Sequence, residues 1–197
     1  VDIVEVATKR FLENTIETKG IKIDSEEFEN QEGKTVRVST IEITLSKKLN
    51  FGVLILNVLY DNNAGNIVRS ANAFGAAEII LYGHRKFDRR ASVGAEFYSH
   101  FRHIRFVEDL DPLFAEYDVV VAIENTPEAT PLKDFSWDAG RKTLLIFGQE
   151  SAGIPEEILK KCHHVVAISQ RGSVRSLNVA VAAGIAMNDY CTKTLAT

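Results

Sequence analysis

The sequence of 197 residues contains only 2 cysteines, 4 prolines and 12 glycines. So few cysteines exclude a small scaffold held by disulfides, and so little glycine and proline excludes a collagen-like chain. Hydrophobic residues make up 45% of the chain, which excludes a wholly disordered protein. The two thiols, Cys162 and Cys191, are typical of reduced cysteines, and we expect a cytoplasmic protein.

The sequence also lacks long apolar runs and an excess of positive charge. No apolar run approaches the roughly 20 residues that a membrane helix needs, and the opening residues, VDIVEVATKRF, lack the apolar core of a signal peptide. We therefore expect no membrane partner. Because the net charge is −4, the whole chain has no electrostatic footprint of a nucleic-acid binder, and any such binding must depend on a local patch.

One segment, His84–Arg105, has a local excess of positive charge. It contains six lysines or arginines against two acids, together with three histidines. Its first cations are candidates for contacts with nucleic-acid phosphates: Arg85, Lys86, Arg89 and Arg90. From charge alone, a solvated loop with a chance cluster of charges explains the segment equally well.

The first 50 residues differ from the rest of the chain. Residues 1–50 are highly charged, with five carboxylates and no base between Asp24 and Glu32. The stretch Val36–Ser46 alternates like a strand, with a change of phase at Ser39–Thr40. We interpret residues 1–50 as an appendage of unidentified role, and residues 51–197 as the main domain.

From Phe51 onward, short apolar runs alternate with helical stretches. The runs predict strands at Gly52–Leu59, Glu78–Tyr82, Ile104–Val107, Asp118–Ile123, Thr143–Phe147 and His164–Ile168. The other stretches predict a helix closed by Gly75, a second ending near Tyr117, and two more at Pro155–Cys162 and Ser176–Cys191. This alternation is typical of an α/β fold with a mostly parallel sheet and helices on both faces.

Several standard motifs are absent. The sequence contains neither a P-loop nor a dinucleotide-binding G-x-G-x-x-G. The segment Gly148–Gly153, GQESAG, differs from a nucleophile elbow because Gln149 stands where that turn requires glycine. Cys162, His163 and His164 are consecutive, but no partner pair lies nearby at ligand spacing, so we expect no metal site.

Three segments that follow predicted strands are unusually polar. They are Tyr60–Ala76 with Asn63 and Arg69, Phe147–Pro155 with Glu150, and Ser169–Gly184 with Ser176. Taken singly, each has a simpler explanation: Asn63 and Ser176 suit helix caps, Arg69 a solvated helical residue, and Glu150 a tight turn. Ligands of parallel α/β sheets bind beyond the carboxyl ends of the strands, so the three segments together predict one composite site.

These segments resemble the three motifs of the SpoU/TrmH family of RNA 2′-O-ribose methyltransferases, within the SPOUT superfamily. The first motif, N-x-G-x-x-x-R followed by A-F-G, is represented by Asn63, Gly65, Arg69 and Phe74–Gly75. The second, F-G-x-E-x-x-G-I, is represented by Phe147, Gly148, Glu150, Gly153 and Ile154. The third, S-L-N-V-A-V-A-A-G, runs from Ser176 to Gly184. All three occur in family order within Phe51–Lys193.

The resemblance implies a C-terminal trefoil knot, which no periodicity would predict because knots are rare among folds. It implies S-adenosylmethionine bound in a bent form by backbone groups of three knotted loops. By motif position, the implied cofactor residues are Ile123, Glu124, Asn125, Phe147, Gly148, Gln149, Gly153, Ile168, Gln170, Ser176, Leu177 and Asn178. It also implies a homodimer with each active site completed across the interface. The apolar residues Val179, Val181, Ala182, Ile185 and Ala186 suit such an interface or an ordinary core.

The resemblance further implies an RNA substrate and a set of catalytic residues. Arg69 has the central role at the ribose 2′-hydroxyl, where we expect it to position the adjacent phosphate and stabilise the developing alkoxide. Asn63 and Asn178 hold the nucleotide or shape the loops, Glu150 orients Arg69 or the ribose, and Ser176 binds near the reacting centre. The basic segment then contacts RNA.

Two alternative functions compete with this interpretation. A non-catalytic RNA-binding protein could retain the fold, although every matched polar position is intact. A SPOUT enzyme that methylates a base is opposed by the S-L-N motif. The motifs do not distinguish tRNA from ribosomal RNA as the target.

Overall fold

The structure, a computed structural model, describes residues 21–29, 35–43 and 48–195. The chain divides into two compact units, Val1–Lys47 and Lys48–Thr197. In the first unit, strands β1 (Ile21–Glu29) and β2 (Thr35–Ile43) pair in antiparallel fashion. The register is continuous across Ser39 and Thr40, so the predicted change of phase does not interrupt the strand. The end of that predicted strand, residues 44–46, lies outside the described residues.

The second unit contains a sheet of seven parallel strands, which confirms the predicted fold class. Their order across the sheet is β5-β4-β3-β8-β6-β9-β7. The strands are β3 (Phe51–Leu56), β4 (Glu78–Tyr82), β5 (Phe101–Ile104), β6 (Val119–Ile123), β7 (Thr130–Pro131), β8 (Thr143–Phe147) and β9 (His164–Ala167).

Helices cover both faces of this sheet. They are α1 (Asp61–Ala73), α2 (Arg89–Ser92), α3 (Leu110–Phe114), α4 (Glu156–Leu159) and α5 (Val179–Leu195), with short 3-10 helices at Ala95–Tyr98, Val107–Asp109 and Leu132–Asp134. None of the described helices combines the length and apolarity needed to cross a membrane.

The core consists of two layers because successive residues of each strand point to opposite faces. In β3, Val53 and Ile55 pack in one layer together with residues of α1 and α5. Leu54 and Leu56 pack in the other layer, with residues of α3 and α4. The central strands are therefore apolar on both sides, which explains why they read as continuous hydrophobic runs.

Several predicted boundaries are wrong, among them the end of α4, which lies at Leu159 and not at Cys162. The strand predicted at Ile104–Val107 is β5 at Phe101–Ile104, because β5 pairs with β4 in that register while Phe106 and Val107 are exposed. Strand β3 ends at Leu56, since Asn57 adopts a left-handed conformation, with φ of 46°, and turns the chain. Helix α3 ends at Phe114, short of Tyr117.

The topology brings four loops to one edge of the sheet. Strands β3, β8, β6 and β9 are consecutive neighbours, and parallel strands end at the same edge. The segments after these strands begin at Asn57, Gly148, Glu124 and Ile168. Two of the three motif segments directly follow β3 and β8, and the third follows β9.

Candidate active site

Glu150 connects the loop after β8 with the loop after β3. Its Oε2 accepts a hydrogen bond from the backbone N–H of Leu59 at 2.9 Å, and its Oε1 accepts one from the N–H of Tyr60 at 3.4 Å. The same Oε1 accepts from Nδ2 of Asn63 at 2.8 Å. Three donors from one turn therefore converge on this carboxylate.

These donors also set the charge of Glu150. Partial burial raises its pKa, but the hydrogen bonds from Asn63 and from the N–H groups of Leu59 and Tyr60 outweigh that effect, and the pKa lies below its ordinary value. Glu150 is therefore an anion at neutral pH. Its oxygens already serve as acceptors within the loop, so the geometry suits a group that organises the turn.

Asn178 connects the third motif to the same network. Its Nδ2 donates to Oδ1 of Asn63 at 3.0 Å, while its own Oδ1 accepts from the backbone N–H of Ala180 at 2.9 Å. It thus caps α5, which begins at Val179 and not at Ser176 as predicted. Asn63, in turn, does not cap α1: the N-cap residue of that helix is Tyr60, and Asn63 lies in the first turn.

The loop after β8 is a tight turn that requires two glycines. Gln149 and Gly153 exchange backbone hydrogen bonds at 3.2 and 2.9 Å. A Cβ on Gly148 would lie 2.5 Å from the carbonyl carbon of Gly153. Gly153 has φ of +66°, a left-handed conformation that glycine adopts without strain.

Glu124, the residue directly after β6, connects this turn to the loop after β6. Its Oε2 accepts from the backbone N–H of Ile154 at 2.8 Å, and its Oε1 accepts from the N–H of Asn125 at 2.9 Å. Asn125 donates from Nδ2 to the carbonyl oxygen of Arg175 at 3.2 Å, which ties the loop after β9 to the same place. The loops after β6, β8 and β9 are therefore joined by direct contacts.

A cavity of about 440 Å³ lies among these three loops. It is lined by most of the residues that we expected to bind cofactor: Ile123, Glu124, Asn125, Gly148, Gln149, Gly153, Ile168, Gln170, Ser176 and Leu177. The other lining residues are Glu150, Ser151 and Ala152, which belong to the implied loop Phe147–Gly153, and Thr126, Ile154, Leu159, Val179 and Ala182, which the resemblance does not imply as cofactor residues. Proximity to the glycine turn could have indicated most of them, but nothing in the sequence indicates Leu159 of α4.

Some predicted site residues lie away from the cavity wall. Phe147 is only 1% exposed, and its side chain packs in the core at the end of β8. Asn63 and Asn178 join the network beside the cavity but do not line it. Arg69 lies in the third turn of α1, is exposed, and forms no hydrogen bond or ion pair with any residue that the structure describes. The expected contact from Glu150 to Arg69 is therefore absent within one described protomer.

The basic segment is partly neutralised by its own acids. Arg89 pairs with Glu96 at 2.9 Å, and Arg90 pairs with Asp88 at 3.1 Å. Arg85 and Lys86 are exposed to solvent. Farther along, Arg102 is engaged by Glu78 and Glu116. The segment thus presents less free positive charge than its composition indicates.

The apolar residues of α5 do not form a single face. Val181 and Ile185 are 52% and 39% exposed, whereas Ala186 is fully buried. Val179 and Ala182 are half-buried and line the cavity. Only Val181 and Ile185 of the expected set are therefore available for a second copy.

The residues considered for a metal site have separate partners. Cys162 is a free thiol that donates to the carbonyl oxygen of Ile158, and burial raises its pKa to about 11. Nδ1 of His163 accepts from the N–H of Val120 at 3.0 Å, and His164 packs edge-on against Phe135. Across residues 21–29, 35–43 and 48–195, no three His, Cys, Asp or Glu side chains are grouped as metal ligands would be.

Comparison with known proteins assigns the family. Residues 50–188 match the model of the SpoU rRNA Methylase family. The chain belongs to the SpoU rRNA methylase family. The resemblance inferred from the three motifs is thereby confirmed, and the match covers the cavity and the network beside it.

Two curated relatives differ in how much of their length this SpoU family member spans. An uncharacterized tRNA/rRNA methyltransferase of Archaeoglobus fulgidus is 30% identical over 198 residues, covering 93% of this chain and 81% of the relative. Coverage of 93% means that this likeness extends into residues 1–50. A tRNA (guanosine(18)-2′-O)-methyltransferase of Mus musculus is 29% identical over 136 residues, covering 65% of this chain and only 8% of that protein.

A solved structure has the same fold. The crystal structure of a SpoU methyltransferase from Streptomyces viridochromogenes in complex with the cofactor AdoMet is 25% identical, with a TM-score of 0.66. The likeness covers 84% of this chain and 69% of that one.

Proposed function

We propose that this protein transfers a methyl group from S-adenosylmethionine to a ribose 2′-hydroxyl of tRNA or ribosomal RNA, and that residues 51–197 are the catalytic domain. One observation carries the proposal: Asn63, Glu150 and Asn178, one from each motif, form a continuous hydrogen-bonded chain beside a cavity at the carboxyl edge of the sheet. Membership of the SpoU family and the names of the relatives support the same activity.

The residues around the cavity fit S-adenosylmethionine. A volume of about 440 Å³ suits a small-molecule ligand. The walls combine apolar side chains, such as Ile154 and Leu177, with the backbone of a glycine turn and the carboxylate of Glu124. When bound, the cofactor supplies an electrophilic methyl group on a positively charged sulfur. The loops after β6, β8 and β9 would hold it, and their mutual contacts fix them in place beforehand.

The network residues serve to position the substrate. Glu150 holds the turn that precedes α1, because it accepts from both backbone N–H groups and from Asn63. Asn63 then orients Asn178 at the start of α5. Holding a 2′-hydroxyl in line with a methyl donor accelerates transfer mainly through proximity and orientation. Ser176 lies on the cavity wall, and we assign it a contact with the nucleotide or the cofactor.

Arg69 acts in this proposal from a second copy of the chain. It is exposed and lies outside the cavity of its own protomer, as expected if it completes the site of a partner in a homodimer. A guanidinium is a poor proton acceptor, so Arg69 positions the adjacent phosphate, which takes the proton of the 2′-hydroxyl, and stabilises the developing alkoxide. Mixing Arg69→Ala with a cavity variant, Gly153→Ala, tests this directly. Mixed dimers should regain activity that neither variant has alone, and no regain would place Arg69 in its own protomer's site.

The C-terminal trefoil knot is also part of the proposal. It is supported by family membership. An RNA substrate and two free cysteines, Cys162 and Cys191, support a cytoplasmic location.

A methyl-transfer assay separates this function from its alternatives. The protein is incubated with tritiated S-adenosylmethionine and unfractionated tRNA or ribosomal RNA, and the RNA is digested to nucleosides. Label in 2′-O-methylated nucleosides supports the proposal, and label on bases would indicate a base methyltransferase. RNA binding without any transfer, in a protein that binds the cofactor, would indicate a non-catalytic RNA-binding protein.

A further inference from the structure

The surface around Phe97 displays an aromatic ring that the fold does not use. Phe97 is 72% exposed, although burying such a side chain would ordinarily stabilise a protein by about 2 kcal/mol. Val93, four residues earlier, is 65% exposed. Together with Arg89, these residues form what we call the Phe97 surface, on the segment that joins β4 to β5.

An arginine is fixed over this ring. The guanidinium carbon of Arg89 lies 5.2 Å from the centroid of Phe97, within the range of a cation–π contact. Nε of Arg89 donates to Oε1 of Glu96 at 2.9 Å, and Ser92 Oγ donates to Oε2 of the same carboxylate at 2.6 Å. The Glu96 side chain, which holds Arg89 in place, is only 10% exposed. These hydrogen bonds, first from Ser92 and then from Arg89, hold the pKa of Glu96 below its ordinary value and keep it charged.

The backbone beneath the ring is strained. Val93 has φ of 50°, a left-handed conformation that is a genuine outlier for a β-branched residue. Gly94 follows with φ of +82°. Two successive left-handed residues turn the chain so that Val93 and Phe97 face solvent. Strain of this kind persists where the surrounding structure enforces it, and such sites are often functional.

The Phe97 surface borders the helix that carries Arg69. A Cβ on Gly65 of α1 would lie 2.8 Å from Cβ of Ala91, so this side of α1 packs directly on α2. Asn72 lies two turns further along the same side of α1. Its Nδ2 donates to the carbonyl oxygen of Tyr98 and to Oγ of Ser99. At 3.6 residues per turn, Arg69 projects within about 60° of both Gly65 and Asn72 around the helix axis. Arg69 therefore emerges beside the segment that presents Phe97.

We propose that Phe97 and Arg89 form a stacking platform for an unpaired base of the RNA substrate, next to the nucleotide that Arg69 positions. Arg89 lies over the ring, and Phe97 nevertheless remains 72% exposed and therefore accessible to a base. Proteins bind single-stranded RNA through such aromatic platforms combined with cations that contact the phosphates. The exposed cations Arg85 and Lys86 provide the matching charge on the same segment, whereas Arg90 is paired with Asp88. This inference rests on the proposed function, since it assigns a contact to its substrate.

Kinetics with unfractionated tRNA test the platform. Phe97→Ala should raise the KM for tRNA by about 5- to 150-fold, which is the effect of losing one stacked base. It should leave kcat and the affinity for S-adenosylmethionine nearly unchanged, and Phe97→Tyr should retain the parent KM. The matched control is Phe106→Ala, which removes a ring that is 59% exposed but has no cation over it among the described residues. An unchanged KM in Phe97→Ala, or an equal change in Phe106→Ala, overturns the proposal.

A second readout does not depend on methyl transfer. Phe97→Trp places a fluorescent ring on the surface, whereas the natural Trp137 packs against Phe135 and Tyr190. Oligouridylate should quench the emission of Phe97→Trp and leave that of the parent protein almost unchanged. Quenching in a protein that transfers no methyl group would still support the platform, although the proposed function would have failed. Normal transfer without quenching would overturn the platform alone. A shift of Phe97→Ala toward a smaller oligomer would assign the surface to a second copy instead, which also overturns it.

Discussion

Asn178 donates a hydrogen bond to Asn63 at 3.0 Å, although 115 residues separate the two in the sequence. Each amide uses both of its ends. Asn63 donates onward to Glu150, and Asn178 accepts from the first turn of α5. Reversing either amide would therefore place donor against donor or acceptor against acceptor. The three motifs are coupled through these two asparagines and act as one unit.

Asn63→Asp should break this unit. The aspartate cannot donate to Glu150, and its negative charge would face the carboxylate of Glu150. Since Asn63 is half-buried, we expect the free energy of unfolding to fall by about 1–3 kcal/mol, as for other unsatisfied hydrogen bonds. Methyl transfer should fall as well. Chemical denaturation and the tritium assay measure the two effects.

The control for this variant is Asn66→Asp on the same helix. Asn66 donates only to Asn62, in an exposed pair. Its replacement should change the free energy of unfolding by less than about 0.5 kcal/mol. Equal losses of stability in the two variants would show that the Asn63 link has no special role.

Glu150 should contribute to stability in a pH-dependent way. Its pKa in the folded protein lies below the ordinary value of 4.5. A carboxyl of this kind stabilises the fold fully above its unfolded pKa, and the contribution is lost as the pH falls through the folded pKa. The parent protein should therefore be more stable than Glu150→Gln at neutral pH, and the difference should shrink below about pH 4.5.

Denaturation at a series of pH values measures that difference. Glu128→Gln serves as the control, because Glu128 is exposed and accepts no hydrogen bond from any residue that the structure describes. The free energy of unfolding of Glu128→Gln should equal that of the parent at every pH. A constant difference between the parent and Glu150→Gln down to low pH would contradict the assigned hydrogen bonds.

Gly153→Ala should impair cofactor binding. The new Cβ would lie 2.6 Å from Oε2 of Glu124, and the backbone at φ of +66° disfavours alanine by about 1–2 kcal/mol. Displacement of Glu124 would release the N–H of Ile154 and loosen the wall of the cavity. Calorimetry with S-adenosylmethionine should show weaker binding.

Gly172→Ala is the matched control on the loop after β9. A Cβ at Gly172 meets nothing within 4 Å, so the affinity should remain that of the parent. Parent-like affinity in Gly153→Ala would mean that the glycine turn does not form the binding wall.

The central sheet was predictable from the sequence because its strands are apolar on both faces. Strands β4 and β8 begin and end where their apolar runs do. Strand β5 was misplaced because it lies at the edge of the sheet, where half-buried residues give no continuous run. Strand β7, with only two exposed residues, carries no hydrophobic pattern at all.

The candidate site was predictable as a set of loops but not as a set of contacts. The motifs identified the turn at Gly148–Gly153 and the start of α5, since their spacing is local. The pairing of Arg89 with Glu96, and of Arg90 with Asp88, was not considered, so the basic segment was expected to carry more free charge. The position of Arg69 outside its own cavity depends on how α1 packs, which periodicity does not reveal.

The central claim is that this protein methylates ribose in RNA with the help of Arg69. Its most direct test is tritiated-methyl transfer to unfractionated tRNA and ribosomal RNA by the parent, Arg69→Ala and Arg69→Lys, with the labelled nucleosides identified. The parent should label 2′-O-methylated nucleosides. Both variants should lose transfer by about 100-fold or more, because lysine cannot reproduce a bidentate contact, while S-adenosylmethionine binding persists. Parent-like transfer by Arg69→Ala, or label on the bases, would contradict the account.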